Sequence, residues 1–182
     1  SDIAVLVGQN KTAKSMQQAL RAVGVPSTVR SDDSVFQATE AEELELVMTA
    51  VLDPSRSGNV RVSLVTALLG QDIAALSALE QEAHKWNHWV ERLRQWQERW
   101  EEKGFATFAR SLTTTPLPVP DGTKQSIPER LLGWRDGERR VTNLFHLLEV
   151  IQEAVVTQQL TPKATVQWVQ QQRVLANDDG DE

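Results

Sequence analysis

The chain opens on an unbroken apolar run, Ile3-Ala4-Val5-Leu6-Val7, the pattern of a strand buried on both faces. Gly8-Gln9-Asn10 turns the chain, and Asn10 suits a helix N-cap. Met16, Ala19, Leu20 and Val23 then recur at helical spacing, with Gly24 where a helix-ending glycine belongs. Val25-Pro26-Ser27-Thr28-Val29 reads as a second strand, parallel to the first. A parallel pair needs a larger sheet covered by helices. No later stretch reads as a further strand, so the pattern predicts a piece of a larger α/β protein.

The remaining pattern is helical. Thr39-Glu40-Ala41-Glu42 has the form of a capping box, and Leu44, Val47, Met48 and Val51 give the helix behind it one apolar stripe. Asp53-Pro54 stops that helix, and Pro54 to Gly58 reads as a loop. Val60 to Leu69 predicts a short helix ended by Gly70. Gln71 to Lys103 predicts one or two helices. There Leu76, Leu79, Ala83, Trp86, Val90 and Leu93 form a stripe that Trp89, Trp96 and Trp100 widen, and Gly104 ends it. Phe105, Phe108, Ala109 and Leu112 mark a further short helix. Residues 113–125 hold Pro116, Pro118, Pro120 and Gly122 and read as a loop. Ser126-Ile127-Pro128-Glu129 is a second capping box. Val141, Leu144, Leu148, Ile151 and Val155 mark a long helix after the Asp136-Gly137 turn. Thr161-Pro162 opens a last helix through about Leu175. The expected fold is a small βαβα α/β fragment over residues 1–53, followed by an all-α part over 54–176 and an acidic, disordered tail at 177–182.

Composition narrows the chemistry. The 182 residues are 40% apolar and 24% charged, ordinary for a globular protein. No apolar run approaches the roughly 18 residues of a membrane span. The start lacks the pattern of a signal peptide. With no cysteine there is no disulfide, thiolate or zinc–cysteine site, which fits a reducing cytoplasm. The formal charge of −6 argues against strong nucleic-acid binding by this segment alone, because phosphate neutralisation supplies most non-specific affinity.

Candidate sites are few. The Gly8-Gln9-Asn10-Lys11 turn lies at the carboxyl end of a strand, where α/β proteins place ligands, but an ordinary βα turn explains it equally. No Gly-x-x-x-x-Gly-Lys-Ser/Thr or Gly-x-Gly-x-x-Gly occurs. His84 and His88 share a helix face at metal-ligand spacing. Lys85, however, stands where a metalloprotease has glutamate, so surface or half-buried histidines and no metal are expected. His146 reads as a packed, hydrogen-bonded histidine. The tryptophans allow base stacking, but their common face with leucines favours core packing. Adjacent Arg139 and Arg140 near a helix N-terminus are disfavoured by the dipole. They suit either a phosphate or subunit contact, or an arginine bridging helices through a carboxylate.

Two blocks resemble one family. Asp2-Ile3-Ala4-Val5-Leu6-Val7, then Ala19-Leu20, then Gly24-Val25-Pro26, resembles motif IV and the next strand of UvrD-like superfamily 1 DNA helicases. Ser34-Val35-Phe36-Gln37-Ala38-Thr39-Glu40-Ala41 resembles the exodeoxyribonuclease V beta-subunit family within it. Gly137-Glu138-Arg139-Arg140-Val141-Thr142-Asn143-Leu144, followed by His146 and Leu148-Glu149, is similar to a helix of the same family. The resemblance implies part of a RecA-like motor domain (2A) and most of its helical 2B insertion. It implies a bacterial, cytoplasmic parent that spends ATP with Mg²⁺ to move on single-stranded DNA and unwind duplex. That parent carries a separate nuclease domain and works with gamma and alpha subunits in double-strand-end processing, DNA repair and recombination. The phosphate loop, the Mg²⁺-binding acidic pair and the nuclease carboxylates are not in these residues, so a non-catalytic fragment with no cofactor of its own is expected.

The family's motif IV puts an arginine just after the strand, facing the ATP γ-phosphate; here that nucleotide-binding position is Gly8. Glycine brings no charge to a transferring phosphoryl group. Lys11 and Lys14 are the cations nearby, and with Arg139 and Arg140 they complete the candidate phosphate or DNA contacts. The alternative reading is a helical protein-interaction module with a small α/β appendage. In either case an open sheet edge predicts self-association of the isolated fragment.

Overall fold

The computed structural model describes Val5, residues 10–25, Ser27 and residues 35–178, the side chains of Asn10, Lys11, Ala13, Lys14 and Gln18 excepted. The first helix, α1 (Asn10–Ala22), ends as its sequence predicts. Gly24 takes φ +76°, the Val25 N–H donates to the Leu20 carbonyl at 2.9 Å and the Gly24 N–H to the Arg21 carbonyl at 3.0 Å. These are the two bonds of a Schellman stop. The flanking strands are not shown. Ile3, Ala4, Leu6, Val7, Pro26, Thr28 and Val29 lie outside the described residues. Val5, Val25 and Ser27 belong to no strand, and Val5 is 57% exposed rather than buried on both faces. A parallel strand holds its place through neighbours on the same sheet. Among the described residues the sole paired strands are a two-residue antiparallel hairpin, β1 (Leu117–Pro118) with β2 (Lys124–Gln125), inside the predicted loop.

Residues 35–178 are mostly helical. The central helix, α2 (Thr39–Leu52), buries Leu44, Val47, Met48 and Val51 completely and ends at Asp53 as expected. Its predicted capping box does not form: Ala38 is the N-cap and no side chain caps it. The helix starts one residue early, which leaves Thr39 already helical and turns Glu40 inward.

Next come α3 (Ser57–Leu64), α4 (Ile73–Gln81), α5 (Ala83–Lys103) and α6 (Phe105–Thr114). The helix expected over 60–69 is shifted toward the N-terminus. Thr66 Oγ1 donates to the Ser63 carbonyl at 2.7 Å and accepts from the Leu69 N–H at 3.2 Å, so the side chain competes with helical bonding. The Ala67 and Leu68 carbonyls, which a continuing helix would use, accept instead from Arg130. Gln71–Lys103 is indeed two helices, but the fully packed face is Trp89, Leu93, Trp96 and Trp100, while Ala83 is exposed.

The capping box predicted at Ser126–Glu129 is present in both directions and opens α7 (Ile127–Leu132). Then follow α8 (Gly137–Gln158) and α9 (Pro162–Asp178), the latter capped by Thr161 through the Ala164 N–H at 3.3 Å.

One hydrophobic core runs from Val35 to Ala176. Helix α2 packs against α3, α5, α8 and α9, so the division expected after residue 53 passes between helices that share that core. The two ends of this unit meet. Phe36 and Trp168 are edge-to-face with ring centroids 5.6 Å apart, the Gln37 side chain donates to the Ala176 carbonyl, and Arg173 pairs with Glu42 and Glu45. The first and last described residues of the helical unit therefore lie together, beside the N-terminus of α2.

Candidate functional site

The densest polar constellation lies at that same end. Arg140, in the first turn of α8, is 5% exposed, and Glu40 on α2 is 1% exposed. Arg140 Nε donates to Glu40 Oε1 at 2.5 Å, and its second nitrogen to Glu43 Oε1 at 3.2 Å. Asn143, one helical turn on, donates from Nδ2 to Glu40 Oε2 at 3.0 Å. Both Glu40 oxygens are thus satisfied, the condition under which a buried carboxylate is tolerated. The Trp134 indole lies over the Arg140 guanidinium at 4.5 Å and shields it from water on one side.

A second buried arginine stands next to this group. Arg130 on α7 donates from Nε to the Ala67 carbonyl at 3.1 Å and from a terminal nitrogen to the Leu68 carbonyl. Its guanidinium lies against Gly70, whose φ is +70°; a Cβ there would stand 2.6 Å from Arg130 Nε. Burial lowers the Arg130 pKa to about 10, against the opposing pull of Glu43, so it stays cationic at neutral pH. Burial likewise raises Glu43 above the ordinary carboxylate range, although Arg140 and the Ala67 backbone pull the other way. Arg140 moves up: burial lowers it, but the bonds and charges of Glu40 and Glu43 outweigh that loss. Two carboxylates face two guanidiniums, so the cluster is electrically balanced. Its ion pairs join α2 to α8, and Arg130 ties α7 to the turn after α3.

The α7–α8 corner is equally tight in its backbone. A Cβ on Gly137 would meet Leu132 Cα at 2.7 Å and the Leu131 carbonyl oxygen still closer. Gly137, Arg140, Asn143 and the fully buried Leu144 thus account for much of the second sequence block. Glu40 belongs to the first block. The two blocks carrying the family resemblance touch each other here.

Of the remaining candidates, Gly8 lies outside the described residues. Lys11 and Lys14 fall on α1, their side chains also outside them. Arg139 is exposed and pairs with Asp136 at 2.6 Å. Of the adjacent pair, Arg140 is the arginine that bridges helices. His84 and His88 are exposed, and among the described residues no cluster of His, Asp or Glu side chains suits a metal ion. Among the α5 tryptophans, Trp89, Trp96 and Trp100 are core residues. Trp86 is partly buried, with the Arg61 guanidinium 5.6 Å from its ring. No described helix is long and apolar enough to cross a membrane.

Sequence reasoning missed three features. One is Arg130, hidden because a lone arginine on a short helix reads as solvated. Another is Trp134, 49% exposed at the α7–α8 corner. The third is an open, largely apolar groove of about 750 Å³ between α6, α7 and α8, walled by Phe105, Ala109, Pro128, Phe145 and Leu148.

No family model matches the chain. The sequence is 33% identical over 172 residues to the RecBCD enzyme subunit RecB of Escherichia coli, across 94% of this chain and 14% of that protein. It is 29% identical to the subunit of the same name from Haemophilus influenzae, across 94% of the chain and 13% of that protein. The Mycolicibacterium smegmatis subunit is 27% identical, across 94% and 15%. The chain spans about one seventh of the length of these relatives.

Proposed function

We infer that this chain, which is RecB-like along 94% of its length, acts as a non-catalytic segment of a RecB-type subunit of a RecBCD enzyme. In this reading the whole protein is an ATP-dependent DNA helicase and exonuclease of recombinational repair. It hydrolyses ATP with Mg²⁺, works on duplex and single-stranded DNA at double-strand ends, and assembles with the gamma and alpha subunits of exodeoxyribonuclease V in the bacterial cytoplasm. Residues 1–34 contribute to the RecA-like 2A motor domain, with Gly8 at the motif IV position beside the nucleotide. The helical residues 35–178 form the 2B-type insertion. The core that α2 shares with the later helices supports a start at Val35 rather than after residue 53.

The observation that carries the reading is the collinear match to one segment of RecB, together with the meeting of its two sequence blocks at Glu40, Arg140 and Asn143. One further point supports it: the first and last described residues of the helical unit lie together, as those of an inserted unit do.

The test is the coding sequence that flanks this chain, followed by assay of the longer product. The reading expects a phosphate loop upstream, a Thr-x-x-x-x-Lys-Gly-like motif downstream and DNA-stimulated ATP hydrolysis by the longer polypeptide. The 182-residue chain alone is expected to turn over no ATP and to bind duplex weakly, in a salt-sensitive way. A coding frame without motor sequence overturns it in favour of the helical interaction module, for which the α6–α8 groove is the natural contact.

A further inference from the structure

The corner above the ion-pair cluster is built like a protein contact. Leu132 and Trp134 are 54% and 49% exposed, and Arg135 is exposed and makes no ion pair among the described residues. Tryptophan and arginine dominate the energetically important positions of protein interfaces. This indole is also held in place. Arg140 lies under one face, itself fixed by Glu40 and Glu43, so presenting the other face costs little side-chain entropy.

The position of the corner says what covers it. Glu40 lies one helical turn after Gln37, whose side chain holds the carbonyl of Ala176. Through Arg140 and Glu40 the corner is linked to the end of the helical unit where Gln37 meets Ala176. Whatever joins the unit there is the rest of the same polypeptide, and the relatives hold about six sevenths of their length outside the matched segment. The local charge is balanced, Arg139 being paired with Asp136 and Arg140 with Glu40 and Glu43. That leaves Arg135 as one cation beside an apolar patch, with the exposed Glu138 three residues on, a pattern suited to protein rather than to a phosphate chain.

We propose that Leu132, Trp134 and Arg135 form the seat by which the helical unit docks on the flanking domain of its own polypeptide. That domain supplies an apolar pocket for the indole and a carboxylate for Arg135. The inference rests on the RecB-type reading, since it requires a longer chain.

The experiment uses the longer polypeptide with a photo-crosslinking phenylalanine analogue replacing Trp134, and peptide mapping of the adduct. A crosslink to residues of the same polypeptide outside 35–178 is expected. Hydrogen exchange at 132–136 should be at least about tenfold slower in the longer polypeptide than in the 182-residue chain. Arg135→Glu, which leaves the buried cluster intact, should remove that protection. A crosslink to a gamma or alpha subunit, to DNA, or to nothing overturns the seat, as does exchange equal in the two proteins. DNA-stimulated ATP turnover in the crosslinking variant keeps the two questions apart: turnover with the wrong crosslink sinks the seat alone, whereas a longer polypeptide with no motor sequence sinks the RecB-type reading.

Discussion

Arg140 and Glu40 stand one hundred residues apart in the chain and 2.5 Å apart in the fold. Each is nearly inaccessible to water, and each sits in a sequence block that carries the family resemblance. Removing Arg140 strands both Glu40 and Glu43, and removing Glu40 leaves Arg140 with Glu43 alone; breaking a buried pair costs about 3–5 kcal/mol in comparable sites. Arg140→Ala and Glu40→Ala are each expected to lower unfolding stability by that amount in urea titration. The double change Glu40→Leu with Arg140→Met is expected to cost clearly less than the sum of the two single losses, because the Glu40–Arg140 pair is removed whole and Glu43 alone loses its partner. Simple additivity would show that the pair is not coupled.

Gly137 makes a sharper steric prediction. Alanine is normally the better helix former, yet at this first residue of α8 its methyl would press on Leu132 Cα at 2.7 Å. Gly137→Ala is expected to destabilise by about 1–3 kcal/mol, as overpacking does. Gly58, also helical, has nothing within 4 Å of its would-be Cβ, so Gly58→Ala should be neutral or stabilising. Equal effects at the two positions would mean that the α7–α8 corner yields at little cost.

The sequence made the helices legible wherever a local signal sufficed. Leu44, Val47, Met48 and Val51, the Ser126 capping box, Gly24 and Thr161-Pro162 all behave as their spacing predicts. It misled where a distant partner decides. Thr39 resembles an N-cap, but Glu40 is claimed by Arg140 and the helix starts earlier. Helix α3 ends early where the Thr66 hydroxyl bonds Ser63 and Leu69, and Arg130, over sixty residues away, takes the carbonyls of Ala67 and Leu68. The candidate site was half legible: the arginine pair was singled out, but nothing local said which arginine turns inward or that Trp134 covers it.

The tryptophans of α5 divide by burial. Trp100 stacks on Phe108 at 4.6 Å with the rings 4° from parallel, and meets Phe105 edge-on. Trp100→Ala should cost about 3–5 kcal/mol. The exposed Arg139→Ala, which breaks one surface pair with Asp136, should stay within about 0.5 kcal/mol. Thermal or urea unfolding of both variants checks the contrast. A small loss at Trp100 would place α5 and α6 outside the cooperative core.

Glu43 gives a pH signature. Burial raises its folded-state pKa above the ordinary 4.5, with Arg140 opposing. A raised acid binds protons more tightly folded than unfolded. Its favourable contribution is complete below the unfolded pKa and is lost as pH rises through the folded one. Glu43→Gln lacks that titration but keeps an oxygen to accept from Arg140. The stability advantage of the native chain over Glu43→Gln should therefore shrink as pH rises from 4.5 through the raised value, and then level off. Paired urea midpoints between about pH 4 and 8 measure it. An advantage that grows with pH would mean that attraction to Arg140 outweighs burial at this carboxylate.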